Sequence, residues 1–312
     1  MNNEHPVLTT KYILASEAIE VLLNDVCTWV TARQAGAIVY GKQRLGKSRA
    51  IQYIYSNLSF YLGQKIPVIL FQTKTDTKIT ESTFFGQLLQ SENHAFAKRG
   101  KGADLRDRYI EYLFQLAKSL NQDVLVFICD EAQKLKEIQY GWLIDIYNEL
   151  DARGVKMLVI LVGQPELMAQ RSAYIQTRQL QIVGRFMTHI HEFHGLSSLE
   201  HVDRVLKCYD DGSEWPKDSG VTYTQHFLPK AYSNRWRLWQ QSKIIWDCLR
   251  DAKQNAGLGP LKQISMQAFT QVIATILINA SDNDSIDFSL KKDMIFDAID
   301  HSAYIYQDLY YD

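Results

Sequence analysis

The strongest constraint on the fold is one segment, Gly41–Ser48, which fits the pattern G-x-x-x-x-G-K-[ST] at every fixed position. It follows an apolar run at residues 36–40 that predicts a short buried strand, and it opens a stretch at residues 47–62 that predicts a helix. In this order, backbone N–H groups of the loop and of the helix N-terminus point at phosphate oxygens. The segment therefore predicts a phosphate-binding loop in an α/β fold.

Specific side chains of this loop are candidate ligands of a nucleotide. Gly41 and Gly46 are the fixed glycines, Lys47 can reach the β- and γ-phosphates, and the Ser48 hydroxyl can ligate Mg²⁺. Many ATPases of this kind have a third glycine where this chain has Arg44. Because a side chain there constrains the loop, we expect an effect on the rate of hydrolysis more than on binding. The implied ligands are ATP and Mg²⁺.

Three further apolar runs predict strands, at residues 66–72, 123–129 and 155–162. Continuously apolar strands that alternate with helical patterns indicate a parallel sheet covered on both faces. After about residue 200 the strand runs stop and helical patterns take over. The predicted architecture is an α/β phosphate-loop core with a parallel sheet flanked by helices, followed by a smaller helical lid domain. The expected segments are an N-terminal helical segment at 1–34, the core at 35–198, the lid at 199–280 and an acidic, aromatic tail at 281–312.

The apolar run at residues 123–129 is followed directly by two carboxylates, Asp130 and Glu131. Ligands of a parallel sheet gather beyond the carboxyl ends of its strands. We therefore expect Asp130 to hold the Mg²⁺ shell and Glu131 to act as the general base on the attacking water. The next strand is followed by Gln164, which is a candidate contact to the γ-phosphate or to the water.

Three arginines are candidates for stabilising charge in the transition state. Arg185 is the first choice for an arginine that acts on the nucleotide of a neighbouring subunit, and Arg178 is the alternative. Residues 227–253 read mostly as a helix, and residues 233–237 are expected to open its long part, from which Arg235 could reach back to the phosphates. For each of the three, a surface or ion-paired arginine is the competing interpretation.

The net charge of −1 hides an uneven distribution. Residues 281–312 contain eight Asp and two Lys, a net charge of −6, so residues 1–280 carry +5. Two polar, basic loops in the positive part, 73–78 and 98–101, suit contacts to DNA phosphates that give affinity without sequence choice. A solvated charge run is the alternative for each loop. The candidate DNA-binding residues are Lys74, Lys78, Lys98, Arg99 and Lys101.

Together these segments resemble the AAA+ ATPases, and within that superfamily they look most like the transposition regulators of the TnsC, TniB and MuB group. The resemblance spans about residues 5–255. Four stretches carry it: 41–48, 72–108, 128–136, and 184–186 running to 193–196. The GQPEL segment at 163–167 also occurs in secretion-linked ATPases of the superfamily, which is a competing indication.

The resemblance implies an ATP-dependent protein that binds target duplex DNA as a homo-oligomeric ring or helical filament. Such proteins bind nucleotide between neighbouring subunits and pass the target to a transposase, and their DNA-lining loops map here onto residues 74–78 and 98–101. Slow ATP hydrolysis by Glu131, with Arg185 supplied by the neighbouring subunit, is the expected chemistry. The alternatives are a secretion-associated or loader-type AAA+ ATPase and a scaffold in which ATP licenses assembly with negligible turnover.

Other sequence features bear on the setting of the protein. Four widely spaced cysteines and the lack of a long apolar stretch predict a soluble, cytoplasmic protein without a disulfide framework or a membrane partner. The histidines at 189, 191 and 194 read as part of a strand in preference to a metal site.

The acidic tail mixes Asp with apolar residues at 295, 299 and 305–309 that could share one helical face. It is a candidate docking segment for a transposase or a target-selection protein, and a final lid helix packed on its own domain is the alternative. If the acidic tail is separate from the DNA-binding part, deletion of residues 281–312 is expected to preserve or strengthen DNA binding.

Overall fold

The computed structural model describes residues 4–75, 78–302 and 304–308. In these ranges the strands are β1 (Gly36–Tyr40), β2 (Val68–Gln72), β3 (Val124–Asp130), β4 (Lys156–Gly163) and β5 (His189–Glu192). The helices are α1 (Pro6–Thr9), α2 (Glu17–Thr31), α3 (Lys47–Tyr61), α4 (Glu81–Ser91), α5 (Gly102–Ser119), α6 (Glu137–Ala152), α7 (Glu166–Gln176), α8 (Leu180–Phe186), α9 (Leu199–Asp210), α10 (Tyr223–Phe227), α11 (Pro229–Ser233), α12 (Ser242–Asn255), α13 (Met266–Ser281), α14 (Lys292–His301) and α15 (Tyr304–Asp308). Short 3₁₀ turns lie at Ala132–Lys134 and Leu238–Gln241.

The chain divides into two compact units. The sheet unit comprises Val21–Lys42 and Lys47–Phe193, and the helical unit comprises the residues up to Glu20, Gln43–Gly46 and the residues from His194 onward. The expected N-terminal segment is thus divided between both units, and the expected tail lies in the helical unit. Four residues of the phosphate loop group with the helical unit.

The sheet unit contains a five-stranded sheet in the order β2-β3-β4-β1-β5, in which every pair of neighbours is parallel. The expected parallel sheet is confirmed, and the histidine-containing segment supplies its fifth strand, β5. Every residue of β3 is buried, as is every residue of β4 after the first. Continuous apolar runs form these strands because helices cover both faces of the sheet and leave no strand face in water.

The helical unit has its own apolar core. It is built mainly from α9, α12, α13 and α14, together with Val7 and Leu14 from the N-terminal segment. Helix α13 contributes the largest share, because its apolar residues recur around most of its circumference and eight of them are buried. A helix with such a pattern is stable only when neighbouring helices surround it.

The expectation that residues 233–237 open a long helix within 227–253 is wrong. The segment breaks into α11, the 3₁₀ turn at 238–241 and α12. The buried carboxylate of Asp210 accepts hydrogen bonds from the backbone N–H groups of Leu238 (3.1 Å) and Trp239 (2.9 Å). A guanidinium N–H of Arg237 donates to the carbonyl oxygens of Tyr232 (2.9 Å) and Trp236 (2.8 Å). These side chains satisfy the backbone groups that a continuous helix would have paired internally.

The described part of the acidic tail is packed into the helical unit. Ile295 is 0% exposed, Ile299 is 1% exposed and Tyr304 is 2% exposed, and all three belong to the core of that unit. The apolar face expected from the sequence therefore exists as far as Ile305, which also packs against this core, and its own domain covers it. Leu309, the last residue of the expected face, lies outside the described residues.

The described helices and the cysteines bear on two simpler expectations. No helix in the described part of the chain is long and apolar enough to span a membrane. The four cysteines are free thiols, and Cys129 in β3 is fully buried, as its position in an apolar run predicts.

Candidate nucleotide site

Strand register brings the predicted site residues of the sheet unit to one edge. Tyr40 at the end of β1 pairs with Gly163 at the end of β4, and Gln72 at the end of β2 pairs with Asp130 at the end of β3. The segments that follow these strands therefore emerge on the same side of the sheet. Parallel α/β sheets bind ligands at this edge.

Lys47 is the first residue of α3 and is 9% exposed. Its ammonium donates to the carbonyl oxygens of Gly41 (2.6 Å) and Lys42 (2.6 Å), so the first two residues of the loop lie against the charge. Burial lowers the pKa of Lys47, an effect opposed by the nearby carboxylates of Asp130 and Glu131. A buried cation with three donors and only carbonyl partners is suited to phosphate oxygens.

Two loop residues have positive φ values. Gly46 has φ +107° and Arg44 has φ +62°, so the chain adopts a left-handed conformation at the position where many related loops have a third glycine. Within the helical unit, the carbonyl of Arg44 accepts from the backbone N–H of Gln267 at 3.3 Å. A Cβ atom at Gly46 would lie 3.5 Å from the Cβ of Met266. The N-terminal turn of α13 thus packs against this part of the loop.

Ser48 and Asp130 form the candidate metal site. The Ser48 hydroxyl donates to Asp130 Oδ2 at 3.0 Å, and the backbone N–H of Glu131 donates to Oδ1 at 2.9 Å. Asp130 is 6% exposed, and burial raises the pKa of its carboxyl group, although both hydrogen bonds act in the opposite direction. A hydroxyl and a carboxylate this close supply the hard oxygen ligands that Mg²⁺ prefers. When bound, Mg²⁺ would neutralise phosphate charge.

Glu131 lies directly after β3 in a left-handed backbone conformation, with φ +56° and ψ +37°. Its Oε2 accepts from the side-chain amide of Gln133 (3.1 Å) and pairs with the ammonium of Lys134 (3.1 Å). The Gln133 side-chain oxygen in turn accepts from the backbone N–H of Gln164 at 3.3 Å. The candidate base and the residue after β4 are therefore joined through one amide side chain.

The candidate arginines have different surroundings. Arg185 lies in α8, partly buried, with its guanidinium 5.6 Å from the ring centre of Tyr147 in α6. Helix α8 packs closely on β1 because Gly36 has no Cβ, which would lie 2.5 Å from the carbonyl oxygen of Arg185. Arg178 is exposed in a turn with φ +61°. Arg235 is also exposed in a turn, with φ +66°, and does not open a helix.

The first basic loop begins at Thr73, which is 3% exposed. Its backbone N–H donates to the carbonyl of Asp130 at 3.0 Å, and its hydroxyl lies 3.0 Å from the Cys129 sulfur. Lys74 and Lys78 are exposed, and residues 76 and 77 between them lie outside the described part of the chain.

In the second basic loop, Lys98, Arg99 and Lys101 are exposed. Although the loop contains Gly100, its backbone is held by Arg108 in α5, which donates to the carbonyl oxygens of Phe96 (2.9 Å) and Arg99 (2.7 Å).

The histidines of β5 do not assemble a metal site. His191 is buried, and its Nδ1 lies 2.7 Å from Asp25 Oδ2. Among the described residues there is no group of three or more His, Cys, Asp or Glu side chains placed to hold a metal ion. This outcome agrees with the strand interpretation of the segment.

A parallel sheet in this strand order, with a phosphate loop and an acidic pair at its carboxyl edge, defines an ATPase with the AAA+ fold. Residues 31–170 match the family model described as AAA domain. No curated protein matches the chain in sequence. The fold implies nucleotide binding.

Solved structures share this fold at low sequence identity. The chain is similar to the ORC2 protein of Aeropyrum pernix in its ADPNP-ADP complexes, with 13% identity and a TM-score of 0.62 over 96% of this chain and 72% of that chain. It is also similar to the Aeropyrum pernix ORC1 protein in complex with DNA, with 11% identity and a TM-score of 0.55 over 95% of this chain and 68% of that chain. At these identities the likeness concerns the fold.

Sequence reasoning missed two residues of the site region, Gln133 and Arg108. Gln133 stands two positions after Glu131, and a tight turn after a strand brings such a neighbour back to the strand end, which is a signal that could have identified it. Arg108 lies in α5, seven residues after Lys101, and its side chain reaches back to the loop backbone. No local pattern in the sequence indicates that contact.

Proposed function

We propose that this protein is an ATP-dependent DNA-binding ATPase that contacts the phosphate backbone of duplex DNA with residues 74–78 and 98–101. The single observation that carries the proposal is the position of these two basic loops in the sheet unit. They lead into the N-termini of α4 and α5, and those two helix ends lie side by side.

The contact between the two helix ends is direct. The carboxylate of Glu81, the first residue of α4, pairs with the guanidinium of Arg106 in α5 at 3.1 Å. A Cβ atom at Gly102, the first residue of α5, would lie 2.9 Å from the Cβ of Glu81. The chain segments on either side of this contact carry the exposed lysines and Arg99. This contact supports the proposal that two residue groups, separate in sequence, contribute to one basic surface.

The chemistry of this surface favours phosphate over bases. Helix N-termini carry partial positive charge, and α4 and α5 present theirs together with the basic side chains. The loops are short, and their described residues, 73–75, 78 and 98–101, contain no helix that could enter a groove, so sequence-independent backbone contacts are the expected mode. The similar ORC1 protein of Aeropyrum pernix was solved in complex with DNA, which supports a DNA-binding function for this fold.

ATP dependence follows from the connection between the first loop and the acidic pair. Thr73 begins the loop and is hydrogen-bonded through its N–H to the carbonyl of Asp130, the candidate metal ligand. A change in the position of Asp130 on nucleotide binding would therefore be transmitted to the start of the loop. Such coupling makes DNA affinity depend on the bound nucleotide.

The finer part of the proposal is regulation of DNA transposition. The resemblance of residues 5–255 to the TnsC, TniB and MuB group supports a role in which the protein assembles as a homo-oligomer on target DNA and recruits a transposase. Arg185 is the proposed arginine that acts on a neighbouring subunit's nucleotide. A loader-type AAA+ ATPase is the second candidate, and the likeness of the fold to the two ORC proteins favours it.

Fluorescence anisotropy with a labelled duplex, with and without ATP, tests the DNA-binding proposal. The double variant Lys98→Ala/Lys101→Ala is expected to weaken binding and to reduce the slope of log K against log salt by about two, because each lysine releases about one counterion. The matched control is Lys65→Ala/Lys118→Ala, which removes the same charge. Lys118 lies about 25 Å along α5 from Lys101 at 1.5 Å per residue. Equal weakening by both double variants would contradict the proposed surface.

The variant Glu131→Gln tests whether the protein hydrolyses ATP or only uses bound ATP for assembly. If the protein hydrolyses ATP with Glu131 as base, this variant should lose about 10²–10⁴-fold in turnover while it retains ATP binding. Unchanged ATP consumption would contradict the assignment of Glu131. Strand-transfer assays with a transposase, with and without this protein and ATP, test the finer role, and no stimulation by the protein would favour the loader-type candidate.

A further inference from the structure

Gln133 occupies the space between two predicted site residues. It lies in the 3₁₀ turn directly after β3, and both ends of its side-chain amide are used. The nitrogen donates to Glu131 Oε2 at 3.1 Å, and the oxygen accepts from the backbone N–H of Gln164 at 3.3 Å. The side chain therefore spans from the end of β3 to the end of β4.

A side-chain amide can make both contacts at once. It has a donor for the Glu131 carboxylate and an acceptor for the Gln164 N–H, whereas an ionised carboxylate has no donor and an alkyl group has neither. The hydrogen bond to a charged acceptor is the stronger kind and fixes direction as well as distance. Lys134, which pairs with the same Oε2 atom at 3.1 Å, supplies charge but is a flexible partner.

We propose that Gln133 is a positioning residue for ATP hydrolysis, which orients the Glu131 carboxylate toward the attacking water and ties that orientation to the backbone of Gln164. The inference rests on the assignment of Glu131 as the general base. Gln133 itself touches neither the nucleotide nor the water in this role. Its effect is on the geometry of the base, where a displacement of about 1 Å costs a large factor in rate.

The Gln133 side chain lies against the end of β4, in space that is open because Gly163 has no side chain. A Cβ atom at Gly163 would lie 2.5 Å from the side-chain oxygen of Gln133, well inside a permitted contact. The Gln133 side chain would have to leave its place if residue 163 were alanine. The chain thus offers a second way to displace Gln133 that leaves its chemistry unchanged.

Steady-state ATP hydrolysis by the full-length protein without DNA is the first test. Gln133→Ala is expected to lower kcat about tenfold or more, and less than Glu131→Gln, with the KM for ATP unchanged within about threefold. Gln176→Ala, an exposed glutamine on α7, is the matched control and should leave both constants unchanged. A kcat within twofold of wild type, or equal changes in kcat and KM, would overturn the proposal.

A double-mutant cycle provides the second test. Gly163→Ala should lower kcat in the wild-type background and have little further effect in the Gln133→Ala background, because both changes remove the same contact. Gly141→Ala, where an added Cβ meets nothing within 4 Å, is the control for a Gly-to-Ala change in this unit. Fully additive effects of Gly163→Ala and Gln133→Ala would overturn the link between the two positions.

A merely structural role for Gln133 would not separate kcat from the KM for ATP. Gln133→Glu keeps an acceptor for the Gln164 N–H but, when ionised, has no donor for Glu131. It should therefore lower kcat as Gln133→Ala does, with the KM for ATP unchanged within about threefold. A Gln133→Glu variant with wild-type kcat, or a wild-type protein without turnover, overturns the proposal. Failure of DNA binding would contradict only the proposed function, since these measurements use no DNA.

Discussion

Asp130 combines a functional position with unfavourable burial. Burial raises the pKa of its carboxyl group, so the folded protein binds a proton more readily than the unfolded chain does just above the ordinary value of 3.8. Stability due to this group therefore falls as the pH rises through that range. In an ATPase, a bound metal ion would offset the free-energy cost of burying the Asp130 carboxylate. In the nucleotide-free protein nothing offsets this cost in the same way.

Asp130→Asn is therefore expected to stabilise the nucleotide-free protein by about 0.5–2 kcal/mol at pH 7, as is common for changes that relieve strain at active sites. The gain should be larger at pH 7 than at pH 4, where the wild-type carboxyl group is closer to neutral. Urea unfolding at the two pH values measures both effects. A variant that is less stable than wild type at pH 7 would show that the hydrogen bonds from Ser48 and Glu131 outweigh the burial.

His5 gives the helical unit a pH dependence of the opposite sign. It is 3% exposed and stacks on His226 with ring centres 4.3 Å apart. Burial, and secondarily His226, lowers the pKa of His5 from 6.5 to about 4. The unfolded chain then binds the extra proton first, so stability is complete above about pH 6.5 and is lost as the pH falls toward 4.

His5→Asn should flatten this dependence. Asparagine can replace the imidazole as the N-terminal cap of α1, where His5 Nδ1 accepts from the Val7 N–H at 3.2 Å, but it does not titrate. Thermal unfolding at pH 5 and pH 7.5 should show a smaller difference for the variant than for wild type. Equal differences would mean that other groups cause the acid sensitivity.

At the scale of elements, the break between α11 and α12 depends on Asp210. The side chain is fully buried and its two oxygens accept from two backbone N–H groups. Asp210→Ala leaves the buried N–H of Leu238 and the partly buried N–H of Trp239 without an acceptor, at about 1–3 kcal/mol each. Chemical denaturation should show a loss of at least about 2 kcal/mol. The exposed neighbour Asp211, changed to Ala, should stay within about 0.5 kcal/mol of wild type.

Arg108 in α5 holds the backbone of the second basic loop. Its two hydrogen bonds hold the carbonyl oxygens of Phe96 and Arg99, which restricts the backbone that carries the loop's basic side chains. Arg108→Ala should weaken DNA binding several-fold by adding to the entropy lost on binding, with ATP hydrolysis in the absence of DNA unchanged. Arg108→Lys should rescue part of the loss. If both variants bind DNA as wild type does, the loop has no need of this support.

The elements that sequence predicted well are those with a repeating physical signal. The apolar runs of β1, β3 and β4 identified strands because burial on both faces demands apolar residues at nearly every position. The run of β2 also identified a strand, although its residues alternate between buried and partly exposed positions. The phosphate loop was predictable because its residue types follow from its chemistry. The break at Arg235 was not, because it depends on Asp210, a residue distant in sequence that supplies hydrogen bonds to the turn. The bridge through Gln133 likewise requires knowing that β3 and β4 are neighbours.

For the whole molecule, the division of charge between residues 1–280 and 281–312 holds in the sequence but does not correspond to a separable tail. Ile295, Ile299 and Tyr304 are at most 2% exposed in the core of the helical unit. Deletion of residues 281–312 is therefore expected to unfold that unit, because each large apolar side chain lost from a core costs about 2–5 kcal/mol. The effect of the deletion on DNA binding cannot then be assigned to charge.

Neutralising exposed aspartates tests the charge alone. Asp287, Asp297 and Asp300 are exposed, so the triple change to Asn should leave thermal unfolding within a few degrees of wild type. If the negative charge opposes DNA binding, affinity for a labelled duplex should rise at about 50 mM salt and approach the wild-type value at about 200 mM, because charges separated by more than about 10 Å are screened near 0.1 M salt. A folded triple variant that loses DNA binding would show instead that the acidic segment takes part in the interaction.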